Sequence, residues 1–173
     1  MRLGKEFFAR HCITVAQQLI GKKIVHKLVT GEIISLRISE TEAYCGGCDT
    51  AAHAYPHKRT KRTEPLFWEA GTIYIYLCYG IHWLLNVSTD EVDNPRGVLI
   101  RACVGYEGPA KLTKQLQITN NDLNFENVAT SEFLWFEDDG TTCQVITDKR
   151  VGIGYAKIED QERQWRFKLV KKL

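Results

Sequence analysis

The stretch "GEIISLRISETEAY", residues 31–44, decides how the rest of the chain is read. Successive side chains of a β-strand point to opposite faces. By that parity Ile34, Leu36, Ile38, Glu40, Glu42 and Tyr44 are expected to share one face. An apolar face that ends in two carboxylates and a tyrosine puts charge where a core would be expected. A buried carboxylate is costly unless it is paired or used. The strand is therefore expected to carry a functional site at its end. With "KIVHKLV" (residues 23–29) it forms a hairpin across Thr30-Gly31.

Working outward, "EFFARHCITVAQQLIGKKI" (6–24) sets Phe7, Phe8, Cys12, Val15, Ala16 and Leu19 at helical spacing. One helix packed on a sheet is expected there, with Gly21 as its stop. "GTIYIYLCYGIHWLLNVST" (71–89) has the β-branched and aromatic content of two strands around Tyr79-Gly80, with Tyr74, Tyr76 and Cys78 on one face. "RGVLIRACV" (96–104) reads as another strand, with Arg101 among apolar neighbours. "GPAKLTKQLQI" (108–118) opens on Gly-Pro, spaces Leu112 and Leu116 at i,i+4, and predicts a short helix. "QVITDKRVGIGYA" (144–156) and "WRFKLV" (165–170) look again like short strands. No regular βαβ alternation is present, so the expected class is mixed α/β (α+β) with a mainly antiparallel sheet and a few flanking helices.

At 173 residues the chain suits one domain over 1–173, burying roughly two-thirds of its unfolded surface. No stretch approaches the roughly 18 apolar residues of a membrane span, and the N-terminus opens on no secretory signal. A soluble, monomeric, intracellular protein is expected, with no membrane partner, cytoplasmic in a prokaryote or nuclear in a eukaryote. The six cysteines are scattered through a chain large enough to fold without staples, and are read as free thiols. The net charge of +2 is too small to imply nucleic acid by itself, but bases cluster at "HKRTKR" (57–62) and in "RFKLVKKL" (166–173).

Three kinds of site compete for residues 37–63. Cys45, Cys48, His53 and His57 have spacings close to those of a small zinc knuckle, although two incidental thiols and two loop histidines would look the same. Glu40 and Glu42, two apart on one strand, stand roughly 7 Å apart, near the separation of an inverting glycosidase pair. A single glutamate that activates water needs only a pocket, a partner and a good leaving group. Arg101 is a candidate partner, or one half of a structural ion pair. Tyr44, Tyr74, Tyr76 and Tyr79 are either sheet aromatics or a surface on which bases stack.

In order, "SETEAY", "AAHAY", "GTIYIYLCYGIHWLLNVS", "GVLIRA", "GPAKL" and "RVGIGYA" resemble the alkyladenine (3-methyladenine) DNA glycosylase family, from about residue 5 to residue 168. The resemblance implies a curved antiparallel sheet and a monofunctional base-excision repair enzyme. Such an enzyme flips an alkylated or deaminated purine (3-methyladenine, 7-methylguanine, hypoxanthine) out of double-stranded DNA and hydrolyses its N-glycosidic bond. No metal or other cofactor is implied. Carried over by position, Glu42 would be the general base and Arg101 would help hold the water. Tyr44, His53 and Tyr76 would form the walls of the base pocket, and Asn86 would exclude the 2-amino group of guanine. Tyr79 would be the wedge that fills the duplex. Lys58, Arg59, Lys61 and Arg62, with Lys168, Lys171 and Lys172 of the tail, are the expected phosphate contacts. The acidic "TEPLFWEAG" (63–71), the segment after "GPAKL" and the short tail depart from the family pattern at the edge of the expected DNA interface. A non-catalytic or zinc-stabilised nucleic-acid-binding module is the alternative.

Overall fold

The computed structural model describes residues 1–170. The single N-terminal helix expected from the apolar spacing is instead two, α1 (Lys5–Phe8) and α2 (Cys12–Leu19). The break has a tertiary cause. The backbone N–H of Asp90 donates to the carbonyls of both Phe8 and Arg10, at 3.1 and 2.9 Å, drawing them out of the helical ladder. His11 then restarts the helix, its Nδ1 accepting from the Ile13 N–H at 3.2 Å. The apolar stripe survives the break, because Phe8, Cys12, Val15, Ala16 and Leu19 are all buried.

The chain continues through β1 (Lys23–Lys27), β2 (Ile33–Cys45), a 3₁₀ turn at Glu64–Phe67, and the hairpin β3 (Ile73–Cys78) and β4 (His82–Ser88). It goes on through β5 (Arg96–Cys103), β6 (Tyr106–Glu107), α3 (Pro109–Gln115), β7 (Leu134–Glu137), β8 (Val145–Asp148), α4 (Ile158–Glu162) and β9 (Arg166–Leu169). The strand pairings among the described residues are antiparallel, in the order β3-β4-β5-β2-β1-β7, with β9 on β2 and β8 on β9. The long β2 pairs with β1 through Ile33–Arg37, then with β5 on one edge and β9 on the other through Glu40–Glu42. Handing one edge from β1 to β9 curls the sheet about β2. The class is thus the mixed α+β one expected, with a curled antiparallel sheet and small helices. In the last third, "QVITDKRVGIGYA" is a strand only over Val145–Asp148, and residues 149–156 form an irregular loop with bends and one turn instead.

One feature of β2 overturns the parity expectation. Its register against β5 slips between Ile38 and Glu40 and again between Glu40 and Thr41, the mark of a β-bulge. An extra residue in a strand exchanges its two faces beyond that point. Leu36 and Ile38 therefore lie in the core, whereas after the bulge it is Ala43 and Cys45 that do. Thr41 joins them on that side, donating from Oγ1 to the Ala16 carbonyl of α2 at 2.7 Å. Glu42 and Tyr44 do not share a face with Leu36 and Ile38. They point the other way.

The remaining strands agree with this division. Ile73 and Ile75, Leu85 and Val87, and Val98 and Ile100 pack with Phe8, Leu19, Leu112 and Phe136 in one continuous core. Each such side chain contributes about 1.5–3 kcal/mol by leaving water. Their alternate neighbours on the opposite face build a cavity.

Candidate active site

That cavity has a volume of about 610 Å³, within the usual range for small-molecule sites. Its sheet wall takes Glu42 and Tyr44 from β2, Tyr74 and Tyr76 from β3, Asn86 from β4 and Arg101 from β5. Residues 51–53, 151–153 and Tyr155 close the sides. Six positions chosen from sequence, Glu42, Tyr44, His53, Tyr76, Asn86 and Arg101, thus converge, and Tyr79 stands at the rim.

Glu42 is fully buried (0% exposed). Oε2 accepts from the Val151 backbone N–H at 2.7 Å. Oε1 faces Arg101 Nη1 at 3.5 Å and the Tyr44 hydroxyl, which donates at 3.3 Å. Burial pushes this carboxyl above its ordinary range, and the Arg101 cation, the Val151 N–H, the Arg150 cation and the Tyr44 hydroxyl oppose the shift. Glu40 does not pair with Glu42 as a second catalytic carboxylate would. It accepts from Arg166 Nη1 at 3.2 Å and lies 4.0 Å from Arg101 Nε.

The aromatic walls are locked to one another. His53 meets Tyr76 edge to face at 4.6 Å between centroids, and its Nδ1 lies 3.1 Å from the Tyr74 hydroxyl. Burial, followed by the nearby Arg62 cation, lowers the His53 imidazole to about 4. The ring is neutral at physiological pH. Burial also raises the Tyr74 and Tyr76 phenols, so both remain protonated. Asn86 is buried opposite Tyr74 in the hairpin and donates from Nδ2 to the Tyr74 carbonyl at 3.2 Å.

Tyr79 occupies the hairpin tip, 89% exposed. Tyr79 and Gly80 take φ values of 51° and 70°, the pair of positive angles a primed hairpin turn requires. Such a conformation is rare for a bulky residue. It projects the phenol away from the sheet, flanked by exposed Leu77 and Ile81.

The basic loop is less uniform than its sequence. Lys58 and Lys61 are exposed. Arg59 is held by Glu64, at 2.8 and 2.7 Å, and by Asp93 at 2.9 Å. Arg62 turns inward, its guanidinium 5.2 Å from the centre of the Tyr76 ring. Lys168 pairs with Asp148 at 3.0 Å, and Lys171 and Lys172 lie outside the described residues. The four residues with zinc-like spacing are dispersed to separate tasks. Cys48 Sγ is 3.4 Å from Cys45 Sγ, which also accepts from Arg96 Nε at 3.2 Å. His53 belongs to the tyrosine cluster, and His57 packs on Phe67 at 5.5 Å. Between the thiols, Gly46 is required by crowding, since a Cβ there would stand 2.5 Å from the Pro95 carbonyl oxygen.

Three residues around the cavity escaped the reading of the sequence. Tyr155 spans the two side loops, donating to the Ala51 carbonyl at 2.6 Å. Asp49 and Arg150 form a fully buried ion pair behind Tyr44, at 2.5 and 2.9 Å. "RVGIGYA" marks the segment, but no spacing distinguishes a structural arginine at its head from an exposed one. The signal that could have found it is Asp49, an acid in an otherwise small-residue loop.

Comparison with known proteins accords with this geometry. The profile of the methylpurine-DNA glycosylase (MPG) family matches residues 6–107 and 105–172. A protein of Desulfitobacterium hafniense that carries the name 3-methyladenine DNA glycosylase is 38% identical, over 97% of this chain and 95% of its own. Proteins bearing the same name in Natranaerobius thermophilus (37% identical, over 96% and 94%) and Borrelia garinii (37% identical, over 95% and 94%) align over similar spans. The chain belongs to the methylpurine-DNA glycosylase family, a family of enzymes.

Proposed function

We propose that the protein is a base-excision repair glycosylase that turns an alkylated or deaminated purine out of duplex DNA into the cavity and hydrolyses its N-glycosidic bond. The observation that carries this reading is the buried carboxylate of Glu42, beside Arg101 and at the end of a cavity walled by Tyr44, Tyr76 and His53. A carboxylate whose proton affinity is raised by burial is a stronger base. Glu42 takes a proton from water as the oxygen attacks C1′ of the deoxyribose, and the N-glycosidic electrons leave with the base.

Selectivity follows from charge. Alkylation at N3 or N7 makes the purine cationic, a better leaving group and a stronger stacking partner for tyrosine. A neutral His53 against Tyr76 adds no repelling cation to that wall. Hypoxanthine is neutral and depends more on Glu42. Tyr79 enters the duplex as the base leaves, replacing its stacking. Lys58 and Lys61 face phosphates. Arg59 reaches them only by exchanging Glu64 and Asp93, which makes binding sensitive to salt.

The test is release of 3-methyladenine, 7-methylguanine and hypoxanthine from labelled duplex DNA in the presence of EDTA, with Glu42→Gln alongside. The wild type is expected to release bases, and the variant to bind damaged duplex and release none. Duplex binding with no release of any of the three would make the protein a binding module and overturn the proposal.

A further inference from the structure

Beyond Glu42 the edge of β2 is bare. Strand β9 pairs with β2 only through Glu40–Glu42, and the last ladder contact is the Ala43 N–H donating to the Trp165 carbonyl at 2.9 Å. The next groups on that edge are the Ala43 carbonyl and the Cys45 N–H, both buried and in need of partners. Two side chains supply them. Arg150 Nη1 donates to the Ala43 carbonyl at 2.9 Å, and Asp49 Oδ2 accepts from the Cys45 N–H at 3.2 Å. Arg150 and Asp49 are bonded to each other through the two terminal guanidinium nitrogens, and each side chain is 0% exposed. Nη2 also donates to the Asp160 carbonyl at 3.2 Å. The guanidinium lies 4.8 Å from the Tyr44 ring centre and 5.0 Å from that of Trp165.

We propose that Arg150, clamped by Asp49, is a positioning residue for base excision. The pair substitutes for a missing strand along β2 and fixes the two side chains flanking Ala43, which are Glu42 and Tyr44. Its second connection to the base runs through the main chain, since the residue after Arg150 is Val151, whose N–H holds Glu42 Oε2. One side chain therefore sets the strand that carries the carboxylate, the loop that orients it, and the aromatic wall beside it. The role rests on the assignment of Glu42 as the base.

A merely structural ion pair would affect stability and leave the excision rate of the folded variants alone. The groups facing Glu42 are Tyr44 on its own strand, Arg101 on β5, Arg150 in the loop, and Tyr76 and Tyr155 across the cavity. Arg150 faces Asp49, Tyr44, Trp165 and Glu42. Removing either member of the pair loosens the edge, but the two removals change the charge behind Glu42 in opposite senses.

The experiment is the pH profile of single-turnover hypoxanthine excision for wild type, Glu42→Gln, Arg150→Met, Arg150→Lys and Asp49→Asn, each first checked for cooperative unfolding. Arg150→Met and Asp49→Asn are both expected to lose about 10- to 100-fold in rate, as misplaced groups do, with the affinity for damaged duplex retained. The acid limb should move to higher pH in Arg150→Met, which lacks the cation, and to lower pH in Asp49→Asn, which leaves it unneutralised. Arg150→Lys keeps the charge without the two-pronged fork and should restore the limb but not the full rate. If Arg150→Met does not fold, the other two variants carry the same test. Limbs unmoved or moving together, or a full rate in Arg150→Lys, would overturn the positioning role. An active Glu42→Gln would instead sink the assignment of the base itself.

Discussion

The backbone N–H of Val151 reaches Oε2 of Glu42 at 2.7 Å across 109 positions of the chain. The segment 149–156 thus holds from a loop a carboxylate that the sheet carries. Because burial raises the Glu42 carboxyl above its ordinary value, the folded protein holds that proton more tightly than the unfolded chain does. The linkage makes Glu42 a growing liability to stability as pH rises from the unfolded carboxylate value, about 4.3, through the folded one. Glu42→Gln is therefore expected to abolish excision while its thermal midpoint equals or exceeds that of the wild type at neutral pH. The two midpoints should draw together in acid. A lower midpoint at neutral pH would show that the carboxylate stabilises the fold.

His53 has the opposite sign among the bases. Its folded value of about 4 lies below the usual 6.5, so its contribution to stability is complete above 6.5 and is lost as pH falls toward 4. A His53→Gln variant should show a shallower loss of stability in that window, measured by denaturant titration at successive pH values. Equal slopes would mean that the imidazole is not kept neutral by its surroundings.

Tyr79→Ala removes the exposed ring from the hairpin tip without emptying the core. Affinity for duplex containing an abasic analogue should weaken by about 1–3 kcal/mol, the worth of one aromatic–base stack. Unfolding should be unchanged. Wild-type affinity in this variant would assign the wedge elsewhere.

Asn86→Ala opens space beside Tyr74 and removes the donor to its carbonyl. Release of undamaged guanine should rise by about tenfold or more relative to the lesion. A modest loss of stability, about 1–2 kcal/mol, should accompany it. Discrimination equal to wild type would show that the amide does not filter the base.

Phe8 is fully buried and packs on Phe136 at 5.6 Å between centroids, on the core side of the sheet. Phe8→Ala should cost about 3–5 kcal/mol in chemical denaturation. Excision by the fraction that remains folded should be close to wild type, since no part of that ring reaches the cavity.

What the sequence revealed, it revealed through local pattern. Alternation in "GTIYIYLCYGIHWLLNVST" located β3, β4 and the exposed tip, and correctly set Tyr74 and Tyr76 on one face. The stretch "RGVLIRACV" is the strand β5 it was read as, and its Arg101, singled out among apolar neighbours, lines the cavity. Several features depend on partners distant in the chain and were not legible. Asp90 divides the N-terminal helix, and Asp93 helps to occupy Arg59. Asp49 reaches Arg150 across 101 positions. The face of Glu42 was misjudged for a different reason. Uninterrupted alternation is the simplest reading of any strand, and "RISETE" contains no glycine or proline to announce a bulge.

That bulge makes the backbone path of β2, and not only its sequence, decisive for the cavity. At its present length, the same strand without the bulge would run in plain alternation and turn Glu42 and Tyr44 toward α2, with composition and charge untouched. In β2 one irregular step of the backbone, as much as the identity of its residues, decides which side chains the cavity receives.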